Sequence, residues 1–178
     1  MKRDINSNGY IFLYSTLLVV VVAVLLSAAA LWLQPYQQRN IENEKRAMIL
    51  SAAGANKDGK IDFIDGELPV YIVNDKITVI PMKGNGLWGP IWGYLAISDD
   101  GQTIIGAVFD HKSETPGLGG EITSKSFQEQ FSGKQFMKNG EMIPVGVDAI
   151  SGATKTSNGV KDMIHNTMQK YLPYFEKK

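Results

Sequence analysis

Cysteine is missing from all 178 residues. Structural disulfides, cysteine-ligated zinc and cysteine-ligated iron–sulfur clusters are therefore excluded together. If this chain moves electrons, an organic cofactor must carry them. Lack of thiols also suits a domain outside the cytoplasm, which needs no redox protection. Neither sign of charge is in excess, with 18 Lys and Arg against 18 Asp and Glu. No basic face suggests nucleic acid, and no acidic tail suggests a disordered solvating segment. Histidine occurs only at His111 and His165, without a supporting cluster, so no metal site is expected. Repeats and low-complexity tracts are absent too.

Charge is also missing locally. Residues 10–33 hold no charged side chain and are dominated by Leu, Val and Ala. At about 1.5 Å rise per residue, such a helix exceeds the roughly 30 Å hydrocarbon core of a bilayer. Tyr10, Tyr14 and Trp32 stand near its ends, where amphipathic rings favour the interface. Ala28-Ala29-Ala30 resembles a signal-peptide cleavage site. The apolar run is too long for an h-region of about 7–15 residues, so a retained anchor is expected. Lys2 and Arg3 precede the span and favour an N-inside orientation, although Arg39, Lys45 and Arg46 follow it.

Beyond Pro35 the pattern turns helical. Ile41, Lys45, Met48, Ile49 and Ala52 share a face, and Gly54 is a plausible stop. Asn56-Lys-Asp-Gly59 reads as a linker. Strands are expected at 68–73 and 76–81, joined through Asn74-Asp75, and at 92–98 and 103–109, joined through Asp99-Asp-Gly101. A short helix is expected at 124–131 and a short strand at 143–147. The last helix is the clearest: Val160, Met163, Ile164, Thr167, Met168, Tyr171 and Leu172 recur at helical spacing, with Thr156 or Ser157 as its N-cap. The fold class is α+β: a single N-terminal transmembrane helix, then an antiparallel sheet packed with helices. The expected division is tail and anchor at 1–35, stalk helix at 36–55 and soluble domain at 56–178.

One segment carries chemistry. In Asp148-Ala-Ile-Ser-Gly-Ala-Thr154, a strand end leads through small residues to a helix start. Ser151, Gly152 and Ala153 let another molecule approach the backbone. A phosphate on Thr154 would meet the free amides and positive dipole end of the helix, with Lys155 and Thr156 beside it. A plain turn of small residues is the bland alternative. The segment 114–120, Glu-Thr-Pro-Gly-Leu-Gly-Gly, is an irregular loop open to a ligand or an ordinary surface turn. Trp88, Trp92 and Tyr94 are aromatic neighbours, and strand alternation puts the last two on one side. They are candidates for stacking or for the core. His111 is a candidate polar contact, and His165 receives no function.

The run Asp148-x-x-Ser-Gly-Ala-Thr154 resembles the target motif of flavin transferase, which moves the FMN half of FAD onto the final threonine. Gly86-Leu-Trp-Gly-Pro-Ile-Trp-Gly-Tyr94, Phe109-Asp-His-Lys112, the 114–120 loop, Asn8-Gly9-Tyr10, Leu33-Gln34-Pro35 and Thr156-Ser-Asn-Gly-Val160 fall in the order of the NqrC family of sodium-translocating NADH:quinone reductases. The chain is least like that family at 56–67, where it is shorter.

The resemblance implies FMN covalently bound through its phosphate to Thr154. On that reading, Ser151, Gly152, Ala153, Lys155 and Thr156 surround the attachment point. Glu114 and Thr115 hydrogen-bond the isoalloxazine edge, and Leu118 packs on its face. Gly117, Gly119, Trp88, Tyr94 and His111 complete the contacts. Asp148 recruits the transferase, or merely caps the turn. The implied protein is the membrane-anchored electron relay of a complex that oxidises NADH, reduces ubiquinone and exports sodium. It would have no catalytic residue of its own, a periplasmic domain on the bacterial inner membrane, and the other subunits as partners. The related ferredoxin-dependent Rnf flavin protein and a flavin-free tethered module are the alternatives.

Overall fold

The structure is a computed structural model and describes residues 7–138 and 141–176. Lys2 and Arg3, which bear on orientation, lie outside the described residues. The chain divides into two compact units, residues 1–44 and 45–178. The first is helical from Asn8 onward and largely exposed, and it contains an apolar stretch long enough to cross a membrane. Helix α1 (Asn8–Ala52) continues through Pro35, so the expected anchor and stalk form one element.

The second unit begins inside α1. Ile49, Leu50 and Ala52 are buried at its C-terminal end. Gly54 stops the helix as its sequence suggests. It adopts φ +62°, its N–H donates to Ser51 O at 3.0 Å, and Ala55 N–H donates to Leu50 O at 2.9 Å. This is a Schellman closure, which glycine enters without a Cβ penalty.

Five antiparallel strands follow in simple order: β1 (Ile61–Ile64), β2 (Val70–Val73), β3 (Ile77–Asn85), β4 (Pro90–Ile97) and β5 (Ile104–His111). The β2–β3 connection runs through Asn74 and Asp75, both at positive φ, and Lys76 N–H closes on Val73 O at 3.2 Å. Asn and Asp tolerate that conformation better than other side chains, and it matches strand twist. Gly101, at φ +68°, serves the β4–β5 turn.

Strand alternation gives the sheet two apolar faces. Ile80, Met82, Ile91, Leu95, Ile97 and Phe109 face one side, covered by α3 (Thr154–Glu176) and by the helical turns after β5. Val73, Val79 and Ala96 face the other, against Ile49 and Leu50 of α1. Val160, Met163, Ile164, Met168 and Tyr171 of α3 are buried as their spacing predicts. Each such side chain contributes roughly 1.5–3 kcal/mol of burial.

Several expectations need correction. Residues 143–147 form no strand; Pro144 lacks an N–H for a ladder, and pairing stops at β6 (Met137–Lys138) with β7 (Glu141–Met142). The 124–131 segment is one α-turn, α2 (Lys125–Gln128), followed by a 3-10 turn over Glu129–Phe131. Strand β1 lies between the expected linker at 56–59 and the first expected strand, where no element was expected, because its four residues are too few to show a period. Helix α3 starts at Thr154, so Thr156 and Ser157 lie in its first turn instead of capping it.

Candidate functional site

Two separate segments converge on the carboxylate of Glu114. Trp88 N–H, in the β3–β4 turn, donates to Oε1 at 2.7 Å. Gly89 N–H lies next in the same turn and helps to lower the carboxyl pKa. From the first turn of α3, the Thr156 hydroxyl donates to Oε2 at 2.6 Å. Glu114 is 4% exposed and Thr156 1%. Burial alone raises the carboxyl pKa. The bonds from Thr156 and Trp88, with the Gly89 amide and the field of His111, outweigh burial and hold it below its ordinary 4.5. His111 also accepts the Glu114 N–H on Nδ1 at 3.2 Å.

Glycines make room for this carboxylate from both sides. A Cβ on Gly86 would sit 2.5 Å from Oε1. One on Gly119 would strike Oε2 and come within 2.7 Å of Thr156 Oγ1. The second glycine opens a 3-10 turn (Gly119–Thr123) that folds the 114–120 loop back over the α3 N-terminus.

The approach to α3 is a tight turn. Ala153 N–H donates to Ile150 O at 3.0 Å, and Gly152 takes φ +74°. A side chain on Gly152 would be strained and would meet Leu118 Cδ2 at 3.0 Å. The Ser157 hydroxyl ties both ends of this turn, accepting from Ile150 N–H and donating to Ala153 O, each at 3.0 Å. Thr154 then stands exposed as the first residue of α3, with Lys155 also exposed. The first amides of a helix have no intrahelical acceptor, so they face outward as donors for an anion.

Most of the residues singled out from the sequence gather here. Ser151, Gly152, Ala153, Thr154, Lys155 and Thr156 form the turn and helix start. Leu118 lies against Gly152 and is 43% exposed. Gly117 supplies a positive φ of +73°, and Thr115 O accepts from both Leu118 N–H and Gly120 N–H. Trp88 joins through its backbone, and its ring is 67% exposed.

The Glu114 carboxylate points inward and is engaged by protein donors, so it joins elements of the chain. Tyr94 shares a face with Trp92, but it packs edge-on against Tyr71 with centroids 6.1 Å apart. That is the α1 side of the sheet, away from α3, because alternation sends Ile91 and Leu95 to the other side. Asp148 is exposed; its N–H donates to Gln130 Oε1 at 2.7 Å. Sequence reasoning missed Gln130, Gly86 and Gly89, since nothing in a linear pattern links residues so far apart. Among the described residues no cluster of three or more His, Asp or Glu could hold a metal.

The FMN-binding domain family matches residues 86–169, which contain the whole assembly. The C-subunit of the Na+-translocating NADH-quinone reductase of Chlamydia muridarum is 32% identical over 153 residues, covering 70% of this chain and 48% of that protein. The C-subunit of the Vibrio vulnificus reductase is 35% identical over 143 residues, covering 71% and 56%. The chain therefore spans about half the length of the curated relatives it matches. A solved structure of the Parabacteroides distasonis C-subunit superposes with TM-score 0.69 at 29% identity, over 80% of this chain and 96% of that one. The Shewanella oneidensis NqrC structure, with TM-score 0.66 at 23% identity over 76% and 98%, supports the fold alone.

Proposed function

We propose, for a chain that belongs to the FMN-binding NqrC family of Na+-translocating NADH-quinone reductases, the role of a membrane-anchored electron relay with FMN esterified to Thr154. The observation that carries this reading is the Thr154 hydroxyl, exposed at the start of α3 inside the FMN-binding match.

The residues present fit such a group. Outward amides of the first α3 turn and the Lys155 cation suit a phosphate. Exposed Leu118, lying over the bare backbone of Gly152, offers an apolar surface beside it. The bound isoalloxazine supplies the capacity to accept and pass electrons. Attachment through the phosphate leaves that ring free. In the attachment step Thr154 Oγ bonds to the FMN phosphorus of FAD, AMP departs, and the hydroxyl proton is lost. A flavin transferase catalyses it, and the exposed Asp148 is its recognition residue.

The apolar part of α1 anchors the chain in the bacterial inner membrane, with residues 45–178 on the periplasmic side. No charged residue lies within 10–33, so this span offers no obvious sodium path. The NADH site and the sodium path therefore belong to the partner subunits.

The test is intact mass of the full chain co-expressed with a flavin transferase. The wild type gains one FMN less water, and Thr154→Ala gains nothing. A gain that survives Thr154→Ala overturns the assignment.

A further inference from the structure

Four hydroxyls lie within seven residues around the α3 start: Ser151, Thr154, Thr156 and Ser157. Two are withdrawn from solvent. Thr156 donates to Glu114 Oε2 at 2.6 Å, and Ser157 is bonded to Ile150 and Ala153. Thr154 and Thr156 are two residues apart on a helix of about 3.6 residues per turn, so they point roughly 200° apart. Turning Thr156 inward therefore turns Thr154 outward.

We infer that Glu114 is the positioning residue for flavin attachment: by clasping the Thr156 hydroxyl it fixes the rotation of the first α3 turn and presents Thr154 to the transferase. This rests on the attachment reading above. The clasp is anchored elsewhere as well. The same carboxylate holds Trp88 N–H, so the helix start is referenced to the β3–β4 turn and through it to the sheet. Gly86 and Gly119, 33 positions apart in sequence, are both shaped around the same two oxygens. Such a carboxylate is costly to bury unless its lone pairs are filled. Here they are filled by donors from two elements that must keep register. Thr154 itself makes none of these bonds, so its hydroxyl stays free to react.

The experiment measures flavin transfer from FAD by the transferase, with detergent-solubilised full-length chain as acceptor. Four acceptors are compared: wild type, Thr156→Val, Thr156→Ser and Thr154→Ala. Val keeps the shape of Thr156 but removes the donor; Ser keeps the donor. Thr156→Val is expected to lower kcat about 10-fold or more, with KM little changed, because misplacing a reacting group acts on the chemical step. Thr156→Ser is expected to restore kcat. Wild-type kcat in Thr156→Val, or failure of Ser to restore it, overturns the clasp.

Should Thr156→Val lose its near-UV signal and so its fold, two other measurements decide. Glu114→Gln, which keeps the side-chain size, must show the same loss of kcat. In the wild type, the amide of Trp88 must be protected from hydrogen exchange although its side chain is exposed; an unprotected amide overturns the clasp. Flavin on Thr154→Ala, or none on the wild type, sinks the attachment reading instead. A wild type labelled on Thr154 alongside a fully active Thr156→Val sinks only the clasp.

Discussion

Gly152 and Glu114 carry the local logic of the site in different ways. Gly152 holds φ +74° in the turn before Thr154. Alanine there costs roughly 1–2 kcal/mol in the left-handed region, offset by about 0.4–1 from a stiffer unfolded chain. Gly152→Ala is therefore expected to lose about 1 kcal/mol in urea denaturation, before any clash with Leu118. Glu114 acts through charge. Its folded pKa is depressed, so the stability it contributes is present above the unfolded value, near 4.5, and is lost as pH falls through the folded value. Denaturation midpoints should therefore fall for the wild type below about pH 4.5 more steeply than for Glu114→Gln. Parallel profiles would show that the carboxylate is not held as described.

At the scale of elements, the position of α3 depends on close approach. A Cβ on Gly159 would strike Asn85 O, and one on Gly84 would lie 2.7 Å from Met163 Cβ. Helix and strand therefore meet backbone to backbone beside the site. Alanine at Gly159 gains about 1 kcal/mol of helix propensity. Overpacking against a fixed carbonyl costs about 1–3 kcal/mol, and a carbonyl in a sheet cannot rotate away. The net of the two is about 0–2 kcal/mol, so Gly159→Ala is expected to be destabilising by about 1 kcal/mol, the opposite of its propensity; a rise in the urea midpoint would refute the close approach. The same displacement would shift the α3 N-terminus, so flavin attachment should fall with it.

At the scale of the molecule, α1 joins an apolar exposed segment to a folded domain. If Lys2 and Arg3 set the orientation, a C-terminal alkaline phosphatase fusion is active in intact cells and a C-terminal green fluorescent protein fusion is dark. The reverse pattern would place residues 45–178 on the cytoplasmic side and remove the periplasmic assignment.

Much of this protein was legible in the linear sequence because the relevant forces act over short ranges. The uncharged run at 10–33, the helical stripe from Val160 to Leu172, the Gly54 stop and the Asn74-Asp75 turn each depend on neighbours within a few residues. So does the exposed hydroxyl of Thr154 after a small-residue turn. Strand β1 was not legible, being short and held by pairing with β2. The missing strand at 143–147 went the other way, where local apolar content gave no partner. Only tertiary structure decided that Tyr94 faces α1 and that Glu114 faces inward. Residues 26 and 42 positions from Glu114 supply its donors. Whether a buried carboxylate contacts a ligand or braces the chain depends on which donors the fold brings to it, and those come from the packing of a sheet turn against a helix.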